Sequence, residues 1–181
     1  MLSAVDFFEV EVLSWGGLQR YWVMAVMELC TRRVTIAGIT VEPTGAWVEQ
    51  VARGLADGFG GVLAGQRYLI HDRGAVFTEK FCSILGACGI ETLKRPARAP
   101  NLNAQVERWI RGIRGECLDH LILFSERALR KTVEHYLTHF HQERPHQGIG
   151  NKIIDPPEQG GGEIVCHERL GGLLKSYRRA A

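Results

Sequence analysis

The apolar residues of this chain change their spacing several times, and each change marks a new element. From Val5 to Val12 they follow the two-residue period of a strand, which puts Asp6, Phe8, Val10 and Val12 on one face. Trp15-Gly16-Gly17 supplies turn residues, and Arg20 to Met27 reads as the partner strand of a hairpin. After Thr31-Arg32-Arg33 a third strand covers Val34 to Thr40. The period then becomes helical. Pro43-Thr44 opens a helix with Trp47, Val51 and Leu55 at four-residue intervals, and Gly58 is placed to end it in a left-handed cap. Tyr68-Leu69-Ile70 is a short continuous apolar run, the pattern of a strand covered on both faces.

A second helix carries Phe77, Phe81, Ile84, Leu85 and Cys88 along one stripe and stops at Gly89, and Ile90 to Leu93 is a short strand. The basic segment holding Pro96 and Pro100 is a loop. Asn103 is placed to cap a third helix, with Val106, Ile110, Ile113 and Cys117 on its apolar side. Ser125 is placed to cap a fourth, striped by Leu129, Val133, Tyr136, Leu137 and Phe140 and halted by Pro145.

The order βββαβαβαα predicts an α/β fold, a mixed five-stranded sheet flanked by helices. With Tyr68–Ile70 parallel beside the first strand, Asp72 comes off its carboxyl end near Asp6, where open α/β sheets place their sites. Residues 1–156 read as one core domain. After Pro156-Pro157 the character changes: Gly160-Gly161-Gly162 is a flexible joint, and residues 157–181 form a small C-terminal appendage.

Composition narrows the class. With 181 residues, 45% hydrophobic and 23% charged, the chain is long enough to bury a core without staples. Its five cysteines are odd in number, scattered and free of any CxxC pair, so neither a zinc knuckle nor a disulfide framework is indicated. Cys88 and Cys117 fall on apolar stripes, where a thiol acts as a small hydrophobe. No leader pattern and no apolar run of membrane-spanning length is present, so a reducing cytoplasm and no membrane partner are expected. His135 and His139 stand four apart, but Tyr136 occupies the place where a zinc-protease motif needs glutamate, and a polar helix end is the expectation. Trp15, Trp22 and Trp47 read as core or rim aromatics.

Net charge is only +2, but its distribution is uneven. Between Lys94 and Arg114 six basic residues (Lys94, Arg95, Arg98, Arg108, Arg111 and Arg114) face one acid, Glu107. A second basic stretch, with Arg169, Lys175, Arg178 and Arg179, closes the chain. Such clusters point either to contact with a polyanion or to a solvated charged face.

Three acids stand out. Asp6 interrupts an apolar strand face, where a carboxylate is costly unless something positive meets it or it reaches water. Asp72 directly follows a buried strand, a place that turn-forming aspartates also occupy. Glu107 lies in a first helical turn, where an acid also complements the macrodipole. Each is ambiguous alone. Together, Asp6 in Val5-Asp6-Phe7-Phe8, Asp72 in Ile70-His71-Asp72-Arg73-Gly74, and Glu107 in Asn101-Leu102-Asn103-Ala104-Gln105-Val106-Glu107-Arg108, with 34 residues between the last two acids, resemble the DDE integrase and transposase superfamily. Arg114, the segment Arg144-Pro145-His146-Gln147-Gly148-Ile149-Gly150 and the tail Leu170-Gly171-Gly172-Leu173-Leu174 extend the resemblance, which looks closest to transposases of bacterial insertion sequences.

The resemblance implies a ribonuclease-H-like core whose Asp6, Asp72 and Glu107 are catalytic and hold two Mg²⁺ or Mn²⁺ ions. Asp6 would bridge the two while the other acids hold one each. It implies DNA as partner (element ends and target duplex), a homo-oligomer, and a nucleoid-associated location. Lys94, Arg98, Arg108, Arg111 and Arg114 become the expected nucleic-acid contacts; pairing of Arg111 with Glu107 at helical spacing is the alternative for that residue. The chemistry agrees, because phosphodiester cleavage and joining need an activated oxygen and a stabilised leaving oxygen, which two ions roughly 4 Å apart provide. The chain departs from the pattern in starting at the first catalytic strand, without the upstream helix-turn-helix domain common in these transposases, and in carrying Ala104 where glycine is frequent. A separate DNA-binding domain or subunit is therefore expected. Two other functions stay open: an inactive DNA-binding or oligomerisation remnant of a truncated transposase, and a ribonuclease-H-like nuclease that only hydrolyses.

Overall fold

The computed structural model describes residues 1–58, 60–95, 103–158 and 160–180. Strands β1 (Leu2–Ser14), β2 (Gly17–Glu28) and β3 (Val34–Thr40) come first, followed by α1 (Gly45–Leu55), β4 (Tyr68–His71), α2 (Glu79–Ala87), β5 (Glu91–Lys94), α3 (Ala104–Glu116) and α4 (Glu126–Gln142). A hairpin of β6 (Ile164–Arg169) and β7 (Leu174–Arg179) follows. The first five strands form one mixed sheet in the order β3-β2-β1-β4-β5, with β2 and β3 antiparallel and β4 parallel to both β1 and β5. This is the α/β sheet that the hydrophobic pattern predicts. No helix among the described residues is long and apolar enough to cross a membrane.

Packing divides the chain into two compact units, Met1–Glu11 with Gln19–Ile110, and Val12–Leu18 with Arg111–Ala181. In the first, α1 and α2 lie on the sheet face that carries Val5, Met24, Val26 and Leu69, and contribute Val48, Ala52, Leu55, Phe81 and Leu85 to one core. Burial of a side chain such as Phe81 contributes about 1.5–3 kcal/mol. The opposite face of β1 is covered as well: Phe8 meets Trp109 edge-on at 5.8 Å. Thr44 and Thr78 cap α1 and α2 by accepting the backbone N–H of Trp47 and Phe81. Gly38 is a close approach, since a Cβ there would sit 2.5 Å from the Trp47 ring.

Several local expectations change. The most buried stripe of α1 is Val48, Ala52 and Leu55, while Trp47 and Val51 lean on its edge, because the helix centres the smaller residues over the sheet. The helix ends at Ala56, and Gly58 is not in the left-handed region; Gly89, at φ +78°, does follow α2 as expected. Cys88 is exposed at the end of α2, whereas Cys117 is buried. Trp15 is fully exposed at the β1–β2 turn and belongs to no core.

In the second unit Ser125 caps α4 as predicted, accepting from Ala128 N, and Leu129, Thr132, Val133, Tyr136 and Phe140 form its buried stripe. Glu143, just past α4, accepts from Arg169 of β6 at 2.6 and 3.0 Å and from His139 Nδ1 at 2.9 Å. His139 therefore serves the helix end, and residues 164–179 are an ordered hairpin turned by Leu170, Gly171 and Gly172, all at positive φ. Arg144, of the downstream signature, pairs with Glu116, to which the buried Tyr136 also donates.

Candidate functional site

The sheet register sets the first two acids. β1 and β4 pair in parallel with Ala4 opposite Ile70, so Asp6 and Asp72 each lie two residues further along, at the carboxyl end of β4. The core of the sheet therefore positions them, with no long loop between the ladder and either residue.

Asp6 is half-buried, and both its oxygens are engaged. Phe7 N–H donates to Oδ1 at 2.8 Å and Asn103 Nδ2 donates to Oδ2 at 2.8 Å. Burial raises its pKa to about 6; the Phe7 hydrogen bond opposes the rise, the charges of Asp72 and Glu107 add to it, and that of Arg95 lowers it. Both other acids thus act on Asp6 electrostatically. Asp72 Oδ1 accepts from Gly74 N at 2.9 Å, and the residue lines an open pocket of about 350 Å³ with His71, Arg73, Ala75, Phe77 and Lys94.

Glu107 lies in the first turn of α3, and its Oε1 accepts from Arg95 Nη1 at 2.8 Å. Its ion pair is therefore with Arg95 and not with Arg111, the partner that helical spacing offered. Among the described residues no group of three or more His, Cys, Asp or Glu is close enough to hold a metal. Hard carboxylate oxygens fit Mg²⁺ or Mn²⁺ in kind, and it is burial first, then the charges of Asp72 and Glu107, that raises the pKa of Asp6. Asp6 and Asp72 offer oxygens of that kind, and one oxygen of Glu107 is taken up by the guanidinium of Arg95.

Three residues were not marked by sequence as parts of this site. Asn103 was expected to cap α3; it is buried and gives its amide to Asp6 instead, while its Oδ1 has no hydrogen-bond partner among the described residues. His71 is buried against Phe77 at 4.8 Å and its Nδ1 meets the carbonyl of Asp72 at 2.7 Å, fixing the backbone that carries the acid. Arg95 was counted only as one of a basic run. The one signal was adjacency, His71 to Asp72 and Asn103 to the Glu107 motif.

Of the expected nucleic-acid contacts, Lys94, Arg108 and Arg111 are exposed and Arg114 is half-buried. Arg98 lies outside the described residues.

Residues 89–153 match the family model of the integrase core domain. The fold is also that of solved integrase cores. The catalytic core domain of HTLV-2 integrase in complex with magnesium, in its dimeric form, aligns over 84% of this chain and 92% of that one, with TM-score 0.63 and 12% identity. The catalytic core domain of BIV integrase aligns over 84% and 90%, with TM-score 0.53 and 18% identity. A chain of the simian T-cell lymphotropic virus intasome, solved with a PP2A regulatory subunit, aligns over 99% of this chain and 66% of its own, with TM-score 0.56 and 15% identity. Curated proteins give no match. Family model and fold together support a DDE integrase or transposase catalytic core of the ribonuclease-H-like fold. The match over residues 89–153 suggests DNA integration or transposition in general.

Proposed function

We propose that this chain is the catalytic core of a transposase that cuts element ends and joins them to target DNA, with Asp6, Asp72 and Glu107 holding two Mg²⁺ or Mn²⁺ ions. One observation carries the reading: Asp6 and Asp72 stand at equivalent places past the Ala4–Ile70 pair of adjacent parallel strands, and Glu107 adds its charge to theirs. When bound, the ions would activate the attacking oxygen and stabilise the leaving one. The chain's own residues supply the frame. Asn103 and Phe7 N–H orient the two oxygens of Asp6, and Gly74 N–H orients Asp72. Lys94, Arg108, Arg111 and Arg114, with Arg98, would hold the DNA backbone through phosphate contacts that carry no sequence information. Recognition of particular ends then falls to a further domain or partner, and a homo-oligomer would bring two ends together.

The test is turnover. Asp6→Asn, Asp72→Asn and Glu107→Gln keep side-chain shape and remove charge, and each should abolish metal-dependent nicking and joining of a preprocessed DNA end. Near-normal joining by any of the three would remove that residue from the site. Cleavage without joining in the unaltered chain would instead favour a hydrolytic nuclease.

A further inference from the structure

Arg95 occupies an unusual place. It follows the last pair of the β4–β5 ladder, His71 with Lys94, and so falls beside Asp72. Its backbone is held twice, by donation of its N–H to His71 O at 2.9 Å and by acceptance at its carbonyl from Arg73 Nε at 3.1 Å. Its guanidinium reaches across to Glu107 at 2.8 Å. The fixed backbone leaves rotation of the side chain as its means of departure, and with 34% of that side chain exposed, water lies within reach. A carboxylate oxygen engaged by a guanidinium is poorly placed for a divalent ion, and two cations on one carboxylate repel each other.

We propose that Arg95 is the resident counter-cation of the acid cluster: it holds Glu107 away from the ions and gives it up when they bind, so that the third acid is delivered by exchange of cations. Arg95 is then a positioning residue that acts through Glu107. The inference rests on the metal-site reading above and concerns how that site is loaded. It makes two demands of opposite sign. Without metal, Arg95 stabilises the fold by relieving the repulsion among three acids; with metal, it competes.

Mn²⁺ binding to the full chain tests this, followed by the paramagnetic resonance of free Mn²⁺ and by melting in chelator. Arg95→Gln should lower the half-saturating Mn²⁺ concentration about 2- to 5-fold, the scale of a part-exposed ion pair, and should lower the melting temperature in chelator. Arg95→Lys, which keeps the charge, should stay near the unaltered chain in both readouts. Lys94→Gln makes the same change of charge one residue away and should shift Mn²⁺ binding less. In a Glu107→Gln background the Arg95→Gln effect should shrink, since the contested carboxylate is gone. Unchanged or weaker Mn²⁺ binding by Arg95→Gln would overturn the exchange and leave the metal site standing. An equal effect of Lys94→Gln would also overturn it, reducing Arg95 to one charge in a general field. No Mn²⁺ binding by either the unaltered chain or Arg95→Gln would overturn the metal site together with the exchange.

Discussion

Asp6 and Glu143 are both carboxylates withdrawn from water, and their surroundings push them in opposite directions. Burial raises the pKa of Asp6 to about 6, and the nearby acids Asp72 and Glu107 reinforce it. Burial also works against the ionised form of Glu143, but hydrogen bonds and charge from Arg169, with a further bond from His139, outweigh it and hold that pKa at about 2. One carboxylate has its counter-charges built in and ties α4 to β6. The other has two uncharged amide donors and a single arginine that is engaged with Glu107. A buried acid with a full set of partners is architecture; one whose pKa is raised by burial and by two neighbouring acids is the kind of group that functional sites hold.

Turnover should divide the two most sharply. Asp6→Asn should lower DNA joining by at least about a hundredfold, the scale of losing one group that stabilises charge in the transition state, whereas Glu143→Gln should leave the rate of the folded protein within a few-fold. A comparable loss from both would show that the comparison fails. Stability should divide them the other way. Glu143→Ala leaves Arg169 and His139 without their carboxylate and should cost about 2–3 kcal/mol, below the range for fully buried pairs because Arg169 is partly exposed. That is a fall in melting temperature of roughly 4–12 °C for a chain of this size, measurable by calorimetry. Asp6→Asn in chelator should melt at or above the unaltered protein, because a repelling, desolvated charge has gone.

Much of this was legible in the sequence. The strand and helix periods located all five strands of the main sheet, and the threonine and serine caps marked helix starts, because burial and capping act over a few residues. What escaped was set by contacts between distant segments. Asn103 has the composition of a cap, yet its amide is drawn to Asp6, 97 residues away. Arg95 sits in a basic run whose members look alike until the β4–β5 register picks one of them out. The β6–β7 hairpin was missed because it buries little of its own: its outer positions include Ile164, Cys166, Lys175 and Tyr177, all exposed, so no clean alternation of apolar residues appears.

Smaller effects sharpen the contrast. Divalent ions that bind only the folded site should stabilise it by about 1.4 kcal/mol at ~10 mM magnesium if the dissociation constant is roughly 1 mM, a melting shift of about 3–6 °C. Asp6→Asn or Asp72→Asn should lose most of that shift, and Asp57→Asn should keep it. Loss in Asp57→Asn equal to that in Asp72→Asn would mean nonspecific binding. The pH dependence in chelator should also separate the two carboxylates. The raised pKa of Asp6 gives stability that is complete below its ordinary value of 3.8 and is lost as pH rises through about 6. The depressed pKa of Glu143 gives stability that is present above its ordinary value of 4.5 and is lost as pH falls toward 2. Asp6→Asn should flatten the first limb and Glu143→Gln the second, in melting curves taken across pH 2–7.

The parallel pairing of β1 with β4 has a consequence for how such a site can vary. A slip of one residue between the two strands would turn every side chain of the moved strand to the other face and carry one aspartate away from its neighbour. Because the same ladder buries Ala4, Val5, Leu69 and Ile70, that slip would also expose core residues, so a misregistered chain would be selected against as a folding failure before its chemistry was ever tried. The spacing of Asp6 and Asp72 is thereby protected by stability itself, while Glu107, carried on α3, is the acid whose place no strand register sets.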